Sequence, residues 1–286
     1  METGEDNYKI VYRDEEVSAE MWAHAHLSVQ IETKTFSWCI TDSITDLVFE
    51  VGKLTRKPRE ELLPFVFIGL SEITVRQTQY QSVSFSHKGV PTVLVPTGLY
   101  HEDQVPALHE FHFGKTENKL QSTALKTGEI VLVQELNPEI EKAIQQRFPN
   151  AQHISNAAVI IDAMVKKTRF EETPHILVDV ESSFSELYVI QKGQLLLLTQ
   201  FETATSEDIL FHIANACDQL KLDLSKSHLL LTGCVEIGDH TYKLLKNYAP
   251  NLRMHFGFTF SKMAKELSTV KKQEFMSLLN QYACVS

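Results

Sequence analysis

The 286-residue sequence predicts an α/β protein built from two similar lobes in tandem. Each half opens with three short segments of strand character, and each then continues with helical stretches alternating with short apolar runs. Between the halves, Lys166 to Pro174 is charged, carries Thr168, Arg169, Glu171 and Glu172, and ends in a proline that cannot join a helix interior. It is the expected domain boundary.

Along the first half, residues 1–23 are acidic and polar, with Glu15, Glu16 and Glu20 leaving no sustained apolar face, and are expected to form a loosely held arm. Residues 24–167 form the expected first lobe. Leu27, Val29 and Ile31 alternate, as do Phe36, Trp38 and Ile40, and Leu47 to Val51 supplies a third strand. Pro58, Glu60 and Glu61 start a helix, which Pro64 should disrupt a turn later. Elements between 57 and 119 are otherwise weakly signalled, apart from strands at Val83 to Phe85 and Thr92 to Val95. Ile130 to Gln134 is a further strand. Asn137-Pro138 caps a helix bearing Ile140, Ile144 and Phe148, and a short strand near His153 precedes a helix containing Ala157, Ala158, Ile161 and Met164.

Residues 168–174 are the expected linker and 175–286 the second lobe. Strands are expected at Ile176 to Val180, Glu186 to Ile190 and Gln194 to Phe201, the last two joined by a Lys192-Gly193 turn. Thr205-Ser206-Glu207-Asp208 has the form of a capping box, followed by Ile209, Ile213, Cys217 and Leu220 on one helical face. A strand at Leu229 to Leu231, a helix at Thr241 to Tyr248, a strand at Leu252 to Phe256 and a last helix through Phe275, Leu278, Leu279 and Tyr282 complete the chain.

Composition narrows the function classes. With 43% hydrophobic residues the chain can bury a sizeable core. A formal net charge of -10 argues against a broad nucleic-acid or anionic-membrane surface, which requires clustered Lys and Arg. Glu2, Glu5, Asp6 and Lys9 open the chain without the apolar stretch of a signal peptide, and the densest apolar run, Leu62 to Leu70, is too short to span a bilayer. A cytoplasmic protein is expected. Cys39, Cys217, Cys234 and Cys284 are scattered and suit a reducing compartment.

Three antiparallel strands followed by α-β-α-β units is the order of the ribonuclease-H-like fold, and two such lobes in tandem resemble the actin-like ATPases. Those proteins grip ATP with a glycine-bearing hairpin in each lobe, because glycine lets backbone N–H groups approach phosphate oxygens closely. Here Leu177 to Glu186 resembles the second-lobe hairpin, with Asp179 and Glu186 at its acidic positions but Glu181 and Ser183 where glycines belong. Val29 to Thr33 resembles the partner loop, with Gln30 at the aspartate position and Glu32 at the glycine position. Leu229 to Cys234 resembles the strand and turn that pack against adenosine, keeping Gly233 and replacing the next glycine by Cys234.

Gln200 to Asp208 followed by Phe211, and Val95 to Tyr100, also resemble the bacterial domain-of-unknown-function family numbered 3822, whose uncharacterised members have an actin-like fold. That resemblance covers most of residues 24–286 and implies a fold without a reaction.

Other constellations have plainer readings. Asp42, Asp46, Glu50, Asp179 and Glu186 could be imagined as a nuclease carboxylate cluster, but most read as loop or strand-edge acids. His109 with His112, and His24 with His26, have ligand-like spacing without companion ligands, and read as surface histidines. The C-terminal lysines 243, 246, 262, 265, 271 and 272 read as a solvated face.

The expected function is therefore a non-catalytic scaffold or protein-interaction module with degenerate phosphate loops. Its candidate cleft residues are Gln30, Glu32, Asp179, Glu181, Ser183, Glu186 and Gly233. ATP and magnesium are disfavoured as cofactors because Glu32 and Glu181 add negative charge where a polyphosphate would lie. A protein partner is expected, with neither nucleic acid nor membrane. The alternative is a divergent ATP-dependent phosphotransferase or ATPase, with Asp179 holding magnesium through water.

Overall fold

The computed structural model describes residues 8–73, 80–127, 129–257 and 262–282. In chain order these form β1 (Tyr8–Arg13), α1 (Ala19–Ala23), β2 (Ala25–Ile31), β3 (Thr35–Asp42), β4 (Leu47–Thr55), α2 (Leu62–Glu72), β5 (Ser82–His87), β6 (Thr92–Pro96), α3 (Val105–Phe113), β7 (Lys119–Ala124), β8 (Ile130–Leu136), α4 (Pro138–Arg147), β9 (Ala151–His153) and α5 (Asn156–Thr168). There follow β10 (His175–Val180), β11 (Phe184–Gln191), β12 (Gln194–Glu202), α6 (Ser206–Leu220), β13 (His228–Gly233), α7 (His240–Tyr248), β14 (Arg253–Met254), β15 (Lys262–Met263) and α8 (Met276–Gln281). The chain divides into two compact units inside α5, between Val159 and Ile160, and described residues 262–270 and 277–282 belong to the first. Contacts thus divide the chain ahead of the charged segment 168–174.

The first unit's main sheet runs β1-β4-β3-β2-β5-β9, with β15 also pairing β4. Its β1 to β4 pairings are antiparallel, and β2, β5 and β9 are parallel. The second unit's sheet, β12-β11-β10-β13-β14, repeats the order β4-β3-β2-β5-β9 with the same strand senses. Two units of ribonuclease-H-like order are present, as the sequence predicts.

The N-terminal residues differ from the expected loose arm. Tyr8–Arg13 pair with Glu50–Thr55, and Arg13 Nε donates to the buried Glu50 carboxylate at 2.7 Å. Glu50 Oε1 also accepts from Trp38 Nε1 at 2.8 Å, so this acid lies inside the sheet rather than at a strand edge. Pro64 likewise does not break its helix. It is the third residue of α2, where a backbone N–H has no intrahelical acceptor to lose. Gly69 brings that helix onto the sheet, since a Cβ there would stand 2.5 Å from the Phe36 ring.

Strands β6, β8 and β7 form a separate three-stranded sheet inserted between β5 and β9, with α3 packed over Val93, Val95 and Val133 through Val105. In the second unit, Thr205 and Asp208 form the expected capping box of α6, and Ile209, Ile213 and Cys217 are buried. Their core partners include Val178, Val180, Leu187 and Leu231. Lys192 and Gly193 take φ of 54° and 71°, the left-handed geometry a tight hairpin turn requires.

Beneath α8 the first sheet carries a buried polar layer. Gln281 Nε2 donates to Ser84 Oγ at 2.8 Å, Ser86 Oγ donates to Gln281 Oε1 at 3.0 Å, and Ser277 Oγ donates to Gln30 Oε1 at 2.7 Å. His26 contacts Ser82 Oγ at 2.7 Å and Ser84 Oγ at 2.9 Å. Strands β2 and β3 are buried along their whole length because this layer covers the face opposite the apolar core.

Burial, the leading cause in each case, lowers the pKa of His87 to about 3 and those of His26, His153 and His255 to about 4. These lie below the unfolded value near 6.5, so the stabilisation from neutral rings is complete above about pH 6.5 and is lost as pH falls toward 4. Thermal melts between pH 7 and 4.5 should show a falling Tm. His87→Leu should make the decline shallower, by up to about 1.4 kcal/mol per pH unit. An unchanged slope in that variant contradicts the assignment.

Candidate functional site

Two hairpins, one per unit, carry most of the candidate residues and share one backbone geometry. In the first, between β2 and β3, Glu32 N donates to Thr35 O at 2.9 Å and Lys88 N donates to Ile31 O at 2.9 Å. In the second, between β10 and β11, Glu181 N donates to Phe184 O at 2.9 Å and Cys234 N donates to Val180 O at 2.6 Å. Register agrees, since Ile31 pairs with His87 and Val180 with Gly233. Glu32 and Glu181 therefore hold equivalent corners, and Lys88 and Cys234 are the equivalent residues just beyond the neighbouring parallel strand.

Both glutamates are buried, at 8% and 7% exposure. A buried carboxylate is costly unless its oxygens are bonded or its charge is paired. At the first corner Gln30 Nε2 donates to Glu32 Oε1 at 2.8 Å, and the buried Lys88 ammonium lies 4.0 Å from the same oxygen. Gln30 is itself fixed by Ser277. The polar layer under α8 thus reaches the corner through Gln30, which the sequence aligns with an aspartate. At the second corner Cys234 Sγ lies 3.5 Å from Glu181 Oε2, so a weak thiol donor occupies the place that an ammonium takes in the first unit.

Asp179, Glu186 and Gly233 are brought together by strand pairing. Asp179 stands opposite Glu186 on β11 and Thr232 on β13. Glu186 Oε2 accepts from the Tyr188 hydroxyl at 2.7 Å; burial first, then this carboxylate, raises the tyrosine pKa well above its ordinary value. Gly233 has φ +85°, and a Cβ there would come within 2.1 Å of Val180 O and 2.8 Å of Asp179 Oδ1. Ser183 is half-buried, and its carbonyl accepts from Thr203 N at 3.2 Å. Beyond Cys234, a cavity of about 410 Å³ is lined by Cys234, Ile237 and Gly238 with the acids Glu236, Asp239 and Glu274. Asp239 is committed to the backbone there, accepting from Tyr242 N at 2.7 Å and Glu236 N at 2.8 Å.

Residues 14–252 match the family model described as a protein of unknown function, DUF3822. The chain belongs to this family. A Bacteroides thetaiotaomicron protein of unknown function with an actin-like ATPase fold is similar at 20% identity and a TM-score of 0.74, over 82% of this chain and 91% of that one. PilM, in the PilM-PilN type IV pilus biogenesis complex, is similar at 12% identity and a TM-score of 0.56, over 89% of this chain and 96% of that one. These likenesses show the fold as actin-like. No curated protein matches the chain.

Within this actin-like fold His26, His109, His112, Cys39 and Cys217 find ordinary places. His109 is buried, with Nε2 3.1 Å from Glu135 Oε1 but not aligned for a hydrogen bond, while His112 is exposed. His26 is enclosed by its serines, so two of the four expected surface histidines are interior. The Cys39 thiol is pushed up to about 12 and that of Cys217 is raised, both by burial. Cys284 lies outside the described residues. No described helix is long and apolar enough to cross a membrane. The sequence reading missed Lys88, whose role depends on the pairing of β2 with β5, and the neighbouring Glu171, His175 and His228.

Two substitutions probe the site. Gly233→Ala should cost at least about 3 kcal/mol, because the clash is with backbone and φ is positive. Lys88→Met should cost about 3 kcal/mol by stranding the Glu32 charge, and adding Glu32→Gln should recover part of that loss. Denaturant melts measure both; additive Lys88 and Glu32 effects contradict the pairing.

Proposed function

We propose that this family member is a bacterial cytoplasmic scaffold whose two phosphate loops are occupied by its own side chains, and which works by engaging a protein partner. The observation that carries this reading is the buried carboxylate at each hairpin corner, Glu32 beside Gln30 and Lys88, Glu181 beside Cys234. A polyphosphate arriving at the second loop would meet the Glu181 carboxylate, worth roughly 4 kcal/mol of repulsion per unit charge at 4 Å in a partly screened site, and at the first it would meet a corner already filled by Glu32 and Lys88. The acidic cavity next to Cys234 adds to the repulsion at the second loop. Partner binding draws support from PilM, whose structure is that of a complex with PilN.

A second reading, a divergent ATPase or phosphotransferase, draws support from Asp179, Glu186 and Gly233, which strand pairing brings close to one another. On that reading Asp179 holds magnesium through water.

Calorimetry of the purified chain with Mg-ATP should show no saturable binding at micromolar nucleotide. Tight, magnesium-dependent binding overturns the scaffold. Nucleotide turnover abolished by Asp179→Ala would establish the second reading in its place.

A further inference from the structure

The geometry points to a divalent transition-metal site formed by Glu171, His175 and His228 at the opposite end of β10 from the hairpin corner. His175 and His228 are the first residues of the adjacent parallel strands β10 and β13, and they face each other in register. Their rings stand 4.9 Å apart between centroids at a 50° tilt. Glu171 precedes β10 by four residues, and its Oε2 lies 2.7 Å from His175 Nε2. One ligand atom from each of the three residues lies within 4.8 Å of the others. The corner at Val180 is five residues further along β10, about 17 Å at strand rise, so this cluster is separate from the phosphate-loop residues.

The segment that carries Glu171 is held in place by contacts that do not involve its carboxylate. Glu171 N donates to Thr168 O at 3.0 Å, and Thr168 Oγ1 donates to Met164 O at 2.9 Å. The next residue, Glu172, is fixed by Gln191 Nε2 on its carbonyl at 3.0 Å and by Lys192 on its carboxylate at 2.8 Å. His175 is a nearly buried ligand, its side chain 9% exposed, whereas the Glu171 side chain is 46% exposed and can adjust. That difference suits a site with one solvent-facing side.

Bonds of about 2.0–2.1 Å to a tetrahedral ion place donor atoms about 3.4 Å apart. The Glu171–His175 contact would open slightly and the His228 ring would turn inward, both side-chain adjustments. Two imidazoles and one carboxylate suit Zn²⁺, Co²⁺ or Ni²⁺, whereas Mg²⁺ and Ca²⁺ require oxygen-rich shells. Three protein ligands leave a position for water. Lys167 is close enough to be felt at His175 and opposes a cation, and the Glu171 carboxylate offsets it. A bound ion would clip the segment entering β10 to the start of β13, tying α5 to the centre of the second sheet.

The test uses the full chain, treated with a chelator and titrated with Co²⁺ by absorption and with Zn²⁺ by calorimetry. One equivalent should bind saturably, with a visible Co²⁺ band. Glu171→Gln and His228→Asn, both outside the core, should each weaken binding by at least about tenfold. His112→Ala, which removes an exposed histidine elsewhere, should leave it unchanged. Zn²⁺ should raise Tm in the parent chain and not in His228→Asn. Absence of saturable binding, or binding that survives both ligand substitutions, overturns the site.

Discussion

A carboxylate buried at the corner of a hairpin must be satisfied by its own protein, and much of the first unit's local structure follows from that demand. Glu32 is met by Gln30 and Lys88. Gln30 is held by Ser277 at the start of α8, and the same helix brings Gln281 between Ser84 and Ser86. The hairpin corner, the central strands and the C-terminal helix form one hydrogen-bonded arrangement. Removing any member leaves a polar group inside the sheet, which costs more than the bond itself contributes.

The second unit meets the same demand differently. Its glutamate has a cysteine rather than a lysine beside it, and a glycine at positive φ lets Asp179 and the Val180 carbonyl approach the end of β13. The repeated strand order gives both corners the same backbone with different side chains. At each corner the buried carboxylate stands with a partner positioned to receive it.

Much of this architecture was legible in the sequence because local signals agreed with tertiary ones. Thr205 to Asp208 forms the expected capping box, Lys192-Gly193 turns the expected hairpin, and Asn137-Pro138 starts α4. Pro64 was misleading because its effect depends on how far into the helix it falls. The N-terminal strand was hidden because an edge strand stabilised by Arg13 and Glu50 needs no strong apolar pattern. The inserted sheet of β6, β7 and β8 was only partly visible, since β7 has a mixed pattern of exposure. Side-chain partnerships were the least legible. Lys88 meets Glu32, and His228 meets His175, only through the register of parallel strands distant in sequence.

Each hairpin corner is already occupied by a carboxylate of the chain. A crystal structure after soaking with a non-hydrolysable ATP analogue and magnesium tests it most directly. Glu32 should remain on Gln30 and Glu181 beside Cys234, with no triphosphate at either corner. An ordered triphosphate bonded to the backbone amides of residues 32–34 or 181–183, with either glutamate displaced, would contradict it.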